Sequence, residues 1–144
     1  MTLKEFMDKG RLAAEEAYMK GNLKLVEEIY ANDFIMHAPP FPDSKGLDAF
    51  KQTVTALRQA YSDIRLDIND MIGESNTVAM RFTMSMKHTG VSPRAPTPPT
   101  GKDVVLQGSI FFHLKDNKII EGWWYHDYLG LFQQLGVTQP TGKK

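Results

Sequence analysis

The sequence predicts a single α+β domain in which helices come first and antiparallel strands follow. Apolar side chains recur with the 3.6-residue period of a helix in the first half of the chain, and with the two-residue period of a strand in the second half. No helical pattern separates the strands, which argues against a parallel sheet built from βαβ units. We therefore expect the helices to pack on one face of a curved antiparallel sheet.

The first two helices are predicted from capping residues and apolar spacing. Thr2 and Glu5 have the spacing of a capping box, so the first helix should begin at Thr2. Gly21 is expected to end that helix, and Asn22 is expected to cap the second. The apolar stripes of the two helices are Leu3, Phe6, Ala13, Ala14 and Ala17, then Leu23, Val26, Ile29 and Tyr30.

A third helix is predicted from about Gly46 to Tyr61, because apolar residues recur there at intervals of three and four. Its apolar stripe consists of Leu47, Phe50, Val54, Leu57 and Tyr61. The preceding segment from His37 to Asp43 contains three prolines. Prolines remove backbone donors and fix φ, so this segment cannot be helical.

Strand-like segments follow at about 64–68, 78–86, 104–114 and 119–127. Segments of turn-forming composition separate them at 73–76, 93–101 and 116–117. The clearest alternation places apolar side chains on one face of the second strand, at Val78, Met80, Phe82, Met84 and Met86. We expect one domain over 1–138 and a mobile polar tail over 139–144.

Composition excludes several classes of protein. The chain has 144 residues, with 17 Lys and Arg against 17 Asp and Glu, and it has no cysteine. That length suits one domain with a core and a pocket. Zero formal charge argues against nucleic-acid binding, and the lack of cysteine excludes disulfides, thiolate nucleophiles and cysteine zinc sites. Because no secretory leader or membrane-spanning run is present, we expect a cytoplasmic protein.

Asp127 is the most prominent candidate acid, because it ends a strand that carries two tryptophans and a tyrosine. Burial among aromatic rings would raise the pKa of its carboxyl group and suit it to acid–base catalysis near neutral pH. The alternative is that Asp127 caps a short helix over 129–134, since aspartate is a favoured N-cap residue.

Both faces of the last strand carry a tryptophan, so neither is expected to be fully exposed to solvent. If 119–127 is a regular strand, one face carries Ile119, Glu121, Trp123, Tyr125 and Asp127. The opposite face carries Ile120, Trp124 and His126. One face could line a pocket while the other meets a partner subunit, or the strand could lie between helices and a long loop.

The remaining candidates are histidines and methionines. His113 and His88 end strands, and a histidine there is more often a packing residue than a catalyst. His37 lies in the proline segment, and the four histidines show no local metal-ligand spacing, so no metal site is predicted. The methionine stripe suits an adaptable apolar cavity or an ordinary core.

Six stretches, spread in order over nearly the whole chain, resemble the SnoaL-like polyketide cyclase family, also called ester cyclases. The most distinctive is Asp127–Gly136. The others are Glu16–Asn22, His37–Leu47, Lys87–Gly90, Pro98–Lys102 and Asn117–Trp123.

The resemblance implies a cone-shaped nuclear transport factor 2-like fold, with three N-terminal helices in the concavity of a curved antiparallel sheet. It also implies a homodimer formed through the outer sheet face, with Trp124 and His126 as candidate interface residues. Characterised members of the family close a ring in an aromatic polyketide methyl ester by intramolecular aldol condensation, without metal or cofactor.

Residue by residue, the resemblance makes Asp127 the general acid/base and His113 a hydrogen-bonding partner of a substrate oxygen. Phe111 departs from the pattern, because the cyclases carry a polar residue two positions before the histidine. We assign substrate binding, in an internal pocket for a small apolar molecule, to His37, His88, Phe111, Trp123, Tyr125, Met80, Phe82 and Met84.

Three functions are compatible with these residues. The first is a lyase, cyclase or isomerase that acts on a small apolar carbonyl compound. The second is a non-catalytic small-molecule binding protein on the same fold, which Phe111 and the methionine face favour. The third is epoxide opening or ketosteroid isomerisation, but alternation sends the centrally placed Arg81 away from the methionines.

Overall fold

The computed structural model describes residues 1–137 with the exception of Arg94, so the predicted tail over 139–144 lies outside the described residues. The helices are α1 (Leu3–Glu15), α2 (Lys24–Ile29), α3 (Leu47–Ala60) and α4 (Tyr128–Gln134), and a π-helical turn over Glu16–Lys20 extends α1. The strands are β1 (Tyr30–His37), β2 (Ser44–Lys45), β3 (Tyr61–Glu74), β4 (Thr77–His88), β5 (Asp103–Lys115) and β6 (Lys118–His126).

The predicted ends of the first helical segment are confirmed by their caps. Thr2 Oγ1 accepts from the Glu5 N–H at 3.1 Å, and Glu5 Oε1 accepts from the Thr2 N–H at 2.7 Å, which completes the capping box. Gly21 ends the first helical segment in the left-handed conformation, with φ of 74°. The prediction that Asn22 is the cap of the second helix is corrected, because Leu23 is the N-cap residue of α2; Asn22 lies one position earlier, where its Oδ1 accepts from the Lys24 N–H at 3.2 Å.

The six strands form one open, curved sheet in the order β2-β1-β6-β5-β4-β3, with the helices packed against it. The predicted α+β class is therefore confirmed. One neighbouring pair differs from the antiparallel expectation, because β1 and β6 run parallel. Strand β1 was not predicted, since Tyr30 was assigned to the apolar stripe of the second helix. The chain instead leaves α2 after Ile29 and pairs with β6, a long-range contact that local spacing does not encode.

The core lies between α1–α3 and the helix-covered face of the sheet, which we call the inner face. An aromatic cluster occupies its centre, with ring-centroid distances from 4.7 Å for Tyr30–Phe50 to 6.3 Å for Tyr30–Phe112. Trp124 joins this cluster and is almost completely buried. Within the described part of the chain, no helix is long and apolar enough to cross a membrane.

A β-bulge sets which face of β6 turns inward. Leu114 pairs with Ile119, but the next residue of β5, His113, pairs with Glu121, so Ile120 is the extra residue. Because of this insertion, Ile119 and Trp124 both point into the core although regular alternation would separate them. The inner face of β6 thus continues as Gly122, Trp124 and His126, and the outer face carries Glu121, Trp123 and Tyr125.

Candidate functional site

An internal cavity lies between the inner face of the sheet, α3 and α4, and holds about 690 Å³ of space including its opening. Its sheet side is apolar and is formed by Met80, Phe82, Met84, Leu106, Ile110 and Trp124. The prediction that Met80, Phe82 and Met84 line a cavity agrees with this geometry.

Polar side chains enter the cavity at a few positions only. His126 reaches it from the end of β6, with its ring 5.6 Å from Phe82 and 4.9 Å from Tyr128 between centroids. Gly108 lies opposite His126 on β5, and a Cβ there would come within 3.1 Å of the imidazole. The glycine therefore makes room for the histidine ring, which is the one imidazole among the described cavity-lining residues.

Tyr61 also lines the cavity, from the start of β3. Its side chain is 2% exposed, and burial raises the pKa of its hydroxyl to about 12, with the Tyr128 phenol acting in the same direction. The Tyr61 hydroxyl therefore stays protonated at neutral pH and offers a hydrogen-bond donor in an apolar setting.

Asp127 caps α4. Its Oδ1 accepts a hydrogen bond from the Gly130 N–H at 2.8 Å, and its backbone oxygen accepts from the Leu131 N–H at 3.2 Å. A Cβ on Gly130 would lie 2.3 Å from Asp127 Oδ2, so the glycine three residues later is required by the cap. The exposed carboxylate fixes the start of the helix that brings Tyr128 and Leu131 to the cavity.

His88 is fully buried at the end of β4, although it is not among the cavity-lining residues. The Thr100 N–H donates to His88 Nδ1 at 3.2 Å, which places the proton of the neutral ring on Nε2. Burial lowers the pKa of His88 and keeps the ring uncharged.

Five of the predicted site residues lie on the outer face of the sheet instead of in the cavity. They are His37, Phe111, His113, Trp123 and Tyr125. Phe111 and Tyr125 are 47% and 52% exposed. The His113 ring meets the Trp123 ring at a centroid distance of 4.6 Å, and Phe111 pairs with Trp123 across β5 and β6. The expectation that these side chains line the cavity is corrected, because on β5 and β6 they alternate with the buried Ile110, Phe112 and Trp124 and therefore point away from the helices.

His37 joins three elements on that outer face. Its Nε2 lies 2.6 Å from Glu121 Oε2 and its Nδ1 lies 3.0 Å from Asp43 Oδ2. The ring stacks on Trp123 at 5.2 Å and 18°. The hydrogen bond to Glu121 raises the pKa of His37 most strongly, Asp43 adds to the effect, and burial opposes it. This arrangement ties the proline segment to β6.

The structure does not bring Asp127 and His113 together. The Asp127 N–H donates to the Gln107 carbonyl at 2.8 Å, and His113 lies six residues further along β5. At about 3.4 Å per residue the two positions are about 20 Å apart. They also differ in surroundings, since His113 points to the outer face while Asp127 caps α4.

The candidate interface residues are corrected as well. Trp124 belongs to the aromatic core and His126 faces the cavity, so the outer face carries their neighbours Trp123 and Tyr125. Sequence analysis missed His126 and Tyr61 as cavity residues. Pairing β5 with β6 outward from the turn at 116–117, with one bulged residue in β6, places His126 opposite Gly108. Gly108 in turn pairs with Phe82, so His126 lies on the methionine face.

Comparisons with known proteins agree with this fold. The profile of the family described as SnoaL-like polyketide cyclase matches residues 10–135. The chain is 27% identical over 128 residues to the aklanonic acid methyl ester cyclase DauD of Streptomyces sp. (strain C5), covering 88% of this chain and 79% of DauD. It is 28% identical over 100 residues to the aklanonic acid methyl ester cyclase DnrD of Streptomyces peucetius, covering 69% of this chain and 68% of DnrD.

Among solved structures, TsrD from Streptomyces laurentii superposes with a TM-score of 0.83 at 19% identity, covering 94% of this chain and 98% of TsrD. That likeness supports the fold alone. The family profile spans most of the chain, from the first helix to the start of the last turn. The chain therefore belongs to the SnoaL-like polyketide cyclase family.

Proposed function

We propose that this protein catalyses a cofactor-independent, acid–base ring closure or isomerisation of a small apolar carbonyl compound held in the cavity between the sheet, α3 and α4. The observation that carries the proposal is the position of His126, whose imidazole enters an otherwise largely apolar cavity beside Phe82 and Tyr128. A neutral imidazole has one ring nitrogen that can accept a proton, and the imidazolium so formed can return it.

In the proposed reaction His126 removes a proton from a carbon next to a carbonyl group. The electron pair of that C–H bond attacks a second carbonyl carbon of the same molecule and forms the new C–C bond. The resulting alkoxide oxygen takes the proton back from the imidazolium. The product is an isomer of the substrate, so no oxidant, reductant or leaving group is needed.

The resemblance assigns the acid–base role to Asp127 instead, and this is the second assignment to be tested. The capping geometry favours His126, because the Asp127 carboxylate is exposed and accepts from the Gly130 N–H. On our assignment Asp127 is a positioning residue that holds α4, and with it Tyr128 and Leu131, against the cavity.

The relatives named as cyclases of aklanonic acid methyl ester provide the substrate for a direct test. Incubation of the protein with that ester should convert it to an isomer of unchanged mass and different retention time. A compound that native mass spectrometry finds bound, and chromatography recovers unchanged, would instead favour the alternative of a non-catalytic binding protein on this fold.

A further inference from the structure

Tyr61 and His88 form a buried polar corner at the end of the β3–β4 ladder. The two residues are paired across the strands, and their rings lie 5.2 Å apart between centroids at an angle of 39°. Tyr61 is 2% exposed and His88 is 0% exposed. Tyr61 faces the cavity beside Leu57, Leu66 and Met84.

Each of these side chains carries a polar atom without a partner in the described part of the chain. These atoms are the Tyr61 hydroxyl oxygen and His88 Nε2, and both are almost completely shielded from solvent. Because Nδ1 of His88 accepts from the Thr100 N–H, Nε2 carries the proton and is a donor. Two neighbouring buried donors that lack acceptors are unusual in a folded protein and call for an explanation.

The surrounding backbone holds this corner firmly. The N–H groups of Thr89 and Gly90 both donate to the Ala60 carbonyl, at 3.1 and 3.0 Å, directly before Tyr61. Gly90 is required there, because a Cβ would lie 1.7 Å from the Gln59 carbonyl oxygen.

The Pro98–Lys102 stretch holds His88 from the other side. The His88 N–H donates to the Lys102 carbonyl at 2.9 Å, and the Gly101 N–H donates to the His88 carbonyl at 2.8 Å. These contacts join the Lys87–Gly90 and Pro98–Lys102 stretches, which sequence analysis singled out without assigning them a role. The two stretches thus hold the side chains of Tyr61 and His88 in place.

Building on the proposed function, we propose that the Tyr61 hydroxyl, held against the buried His88 ring, forms a binding corner for an uncharged carbonyl or enol oxygen of the ligand. An anionic group such as a carboxylate or phosphate fits less well, because no lysine or arginine is among the described residues that line the cavity. The high pKa of Tyr61 keeps its hydroxyl in the donor form through the physiological range.

This corner complements the proposed base. When a proton leaves the carbon next to the carbonyl group, negative charge develops on the carbonyl oxygen. Donors fixed before the reaction stabilise that charge more effectively in an apolar cavity than in water. Tyr61 would therefore contribute to orientation of the ligand and to stabilisation of the enolate, while His126 moves the proton.

The test compares binding of 2-tetralone with that of tetralin, which lacks the carbonyl group but has nearly the same shape. Calorimetry on the wild-type protein should show a preference for 2-tetralone. Tyr61→Phe should reduce that preference by about three- to tenfold, as expected for loss of one hydrogen bond between neutral groups. The matched control is Tyr30→Phe, which removes a hydroxyl from a buried tyrosine outside this cavity and should leave the preference unchanged.

A spectroscopic measurement on the wild-type protein supplies the second readout. The carbonyl stretch of bound, carbon-13-labelled 2-tetralone should lie at lower frequency than in an apolar solvent, and Tyr61→Phe should move it back. The proposal is overturned if the stretch matches that in the apolar solvent, if wild type and Tyr61→Phe show equal preferences, or if neither compound binds at millimolar concentration. Carbonyl-dependent binding without any turnover would support the corner and reject the proposed catalysis, so the two failures are distinguishable.

Discussion

His37 Nε2 lies 2.6 Å from Glu121 Oε2, so a histidine in the segment before the prolines is joined to the strand that carries His126. Asp43, at the other end of the proline segment, binds the same ring, with its Oδ2 3.0 Å from His37 Nδ1. Phe41, within that segment, meets Tyr128 at 5.5 Å between ring centroids. The ion pairs on the outer face therefore hold a segment that reaches a wall of the cavity.

The first prediction concerns pH and stability. The pKa of His37 is raised in the folded protein, mainly by Glu121, so its favourable contribution is complete below the unfolded value near 6.5 and is lost as pH rises through the folded value. Chemical unfolding at pH 6 and pH 9 measures this loss. Between these two pH values the free energy of unfolding should fall more for wild type than for His37→Gln. We expect an effect of roughly 1 kcal/mol or less, because the pair is partly exposed.

The pKa of His88 is shifted in the opposite direction to that of His37. Its pKa is lowered by burial, so its contribution is present above the unfolded value and is lost as pH falls below it. The comparison of wild type with His37→Gln cancels this effect, since His88 is present in both proteins. Equal pH dependence of the two proteins would show that the contact with Glu121 and Asp43 does not stabilise the fold.

The second prediction concerns the cap of α4. Asp127→Ala should lower the free energy of unfolding by about 0.5–2 kcal/mol, whereas Asp127→Asn should preserve most of it, because asparagine is an equally good N-cap residue. Urea titration measures both values. Turnover by Asp127→Asn should stay within a few-fold of wild type; a loss of two orders of magnitude in a variant of wild-type stability would return the acid–base role to Asp127.

The third prediction concerns the close approach at Gly90. Gly90→Ala places a methyl group against the Gln59 carbonyl and should cost about 2 kcal/mol or more, with weakened ligand binding at Tyr61. Gly10→Ala is the matched control, since nothing lies within 4 Å of its added Cβ and alanine favours the helix by about 1 kcal/mol. A fully stable Gly90→Ala protein would contradict the local structure described for this turn.

The fourth prediction concerns the outer face of the sheet. The resemblance implies a homodimer through this face, and the exposed rings of Phe111 and Tyr125 lie on it. Sedimentation equilibrium should show dimers of the wild-type chain and mainly monomers of the double variant Phe111→Glu, Tyr125→Glu. Leu12→Glu, an exposed position on α1, should leave the dimer intact. A monomeric wild-type chain at micromolar concentration would reject the expected interface.

Local rules predicted those parts of the fold that depend on neighbouring residues. The capping box at Thr2 and Glu5, the end of the helix at Gly21 and the alternation along β4 are all local, and all are confirmed. Strand β1 was missed because its place is decided by pairing with β6, which lies far away in the sequence.

The candidate site depended on which face of β6 turns inward. Regular alternation put Trp123 and Tyr125 on the face of Asp127, and the resemblance placed that face in the pocket, whereas the structure turns the opposite face, with Trp124 and His126, inward. Alternation groups side chains by face but does not say which face meets the core, so His126 was assigned to the subunit interface in place of its outward neighbours. The methionine face was placed correctly because β4 pairs with β5 without any shift.

Acid–base chemistry at His126 is tested most directly by hydrogen–deuterium exchange at C1 of 2-tetralone in deuterated buffer, followed by NMR. His126→Gln should slow the protein-catalysed exchange by about 10²–10⁴-fold, the usual contribution of a general base. His113→Gln, which removes the same group from the outer face, should change it by less than about twofold. Exchange that survives in His126→Gln and disappears in His113→Gln would contradict the account.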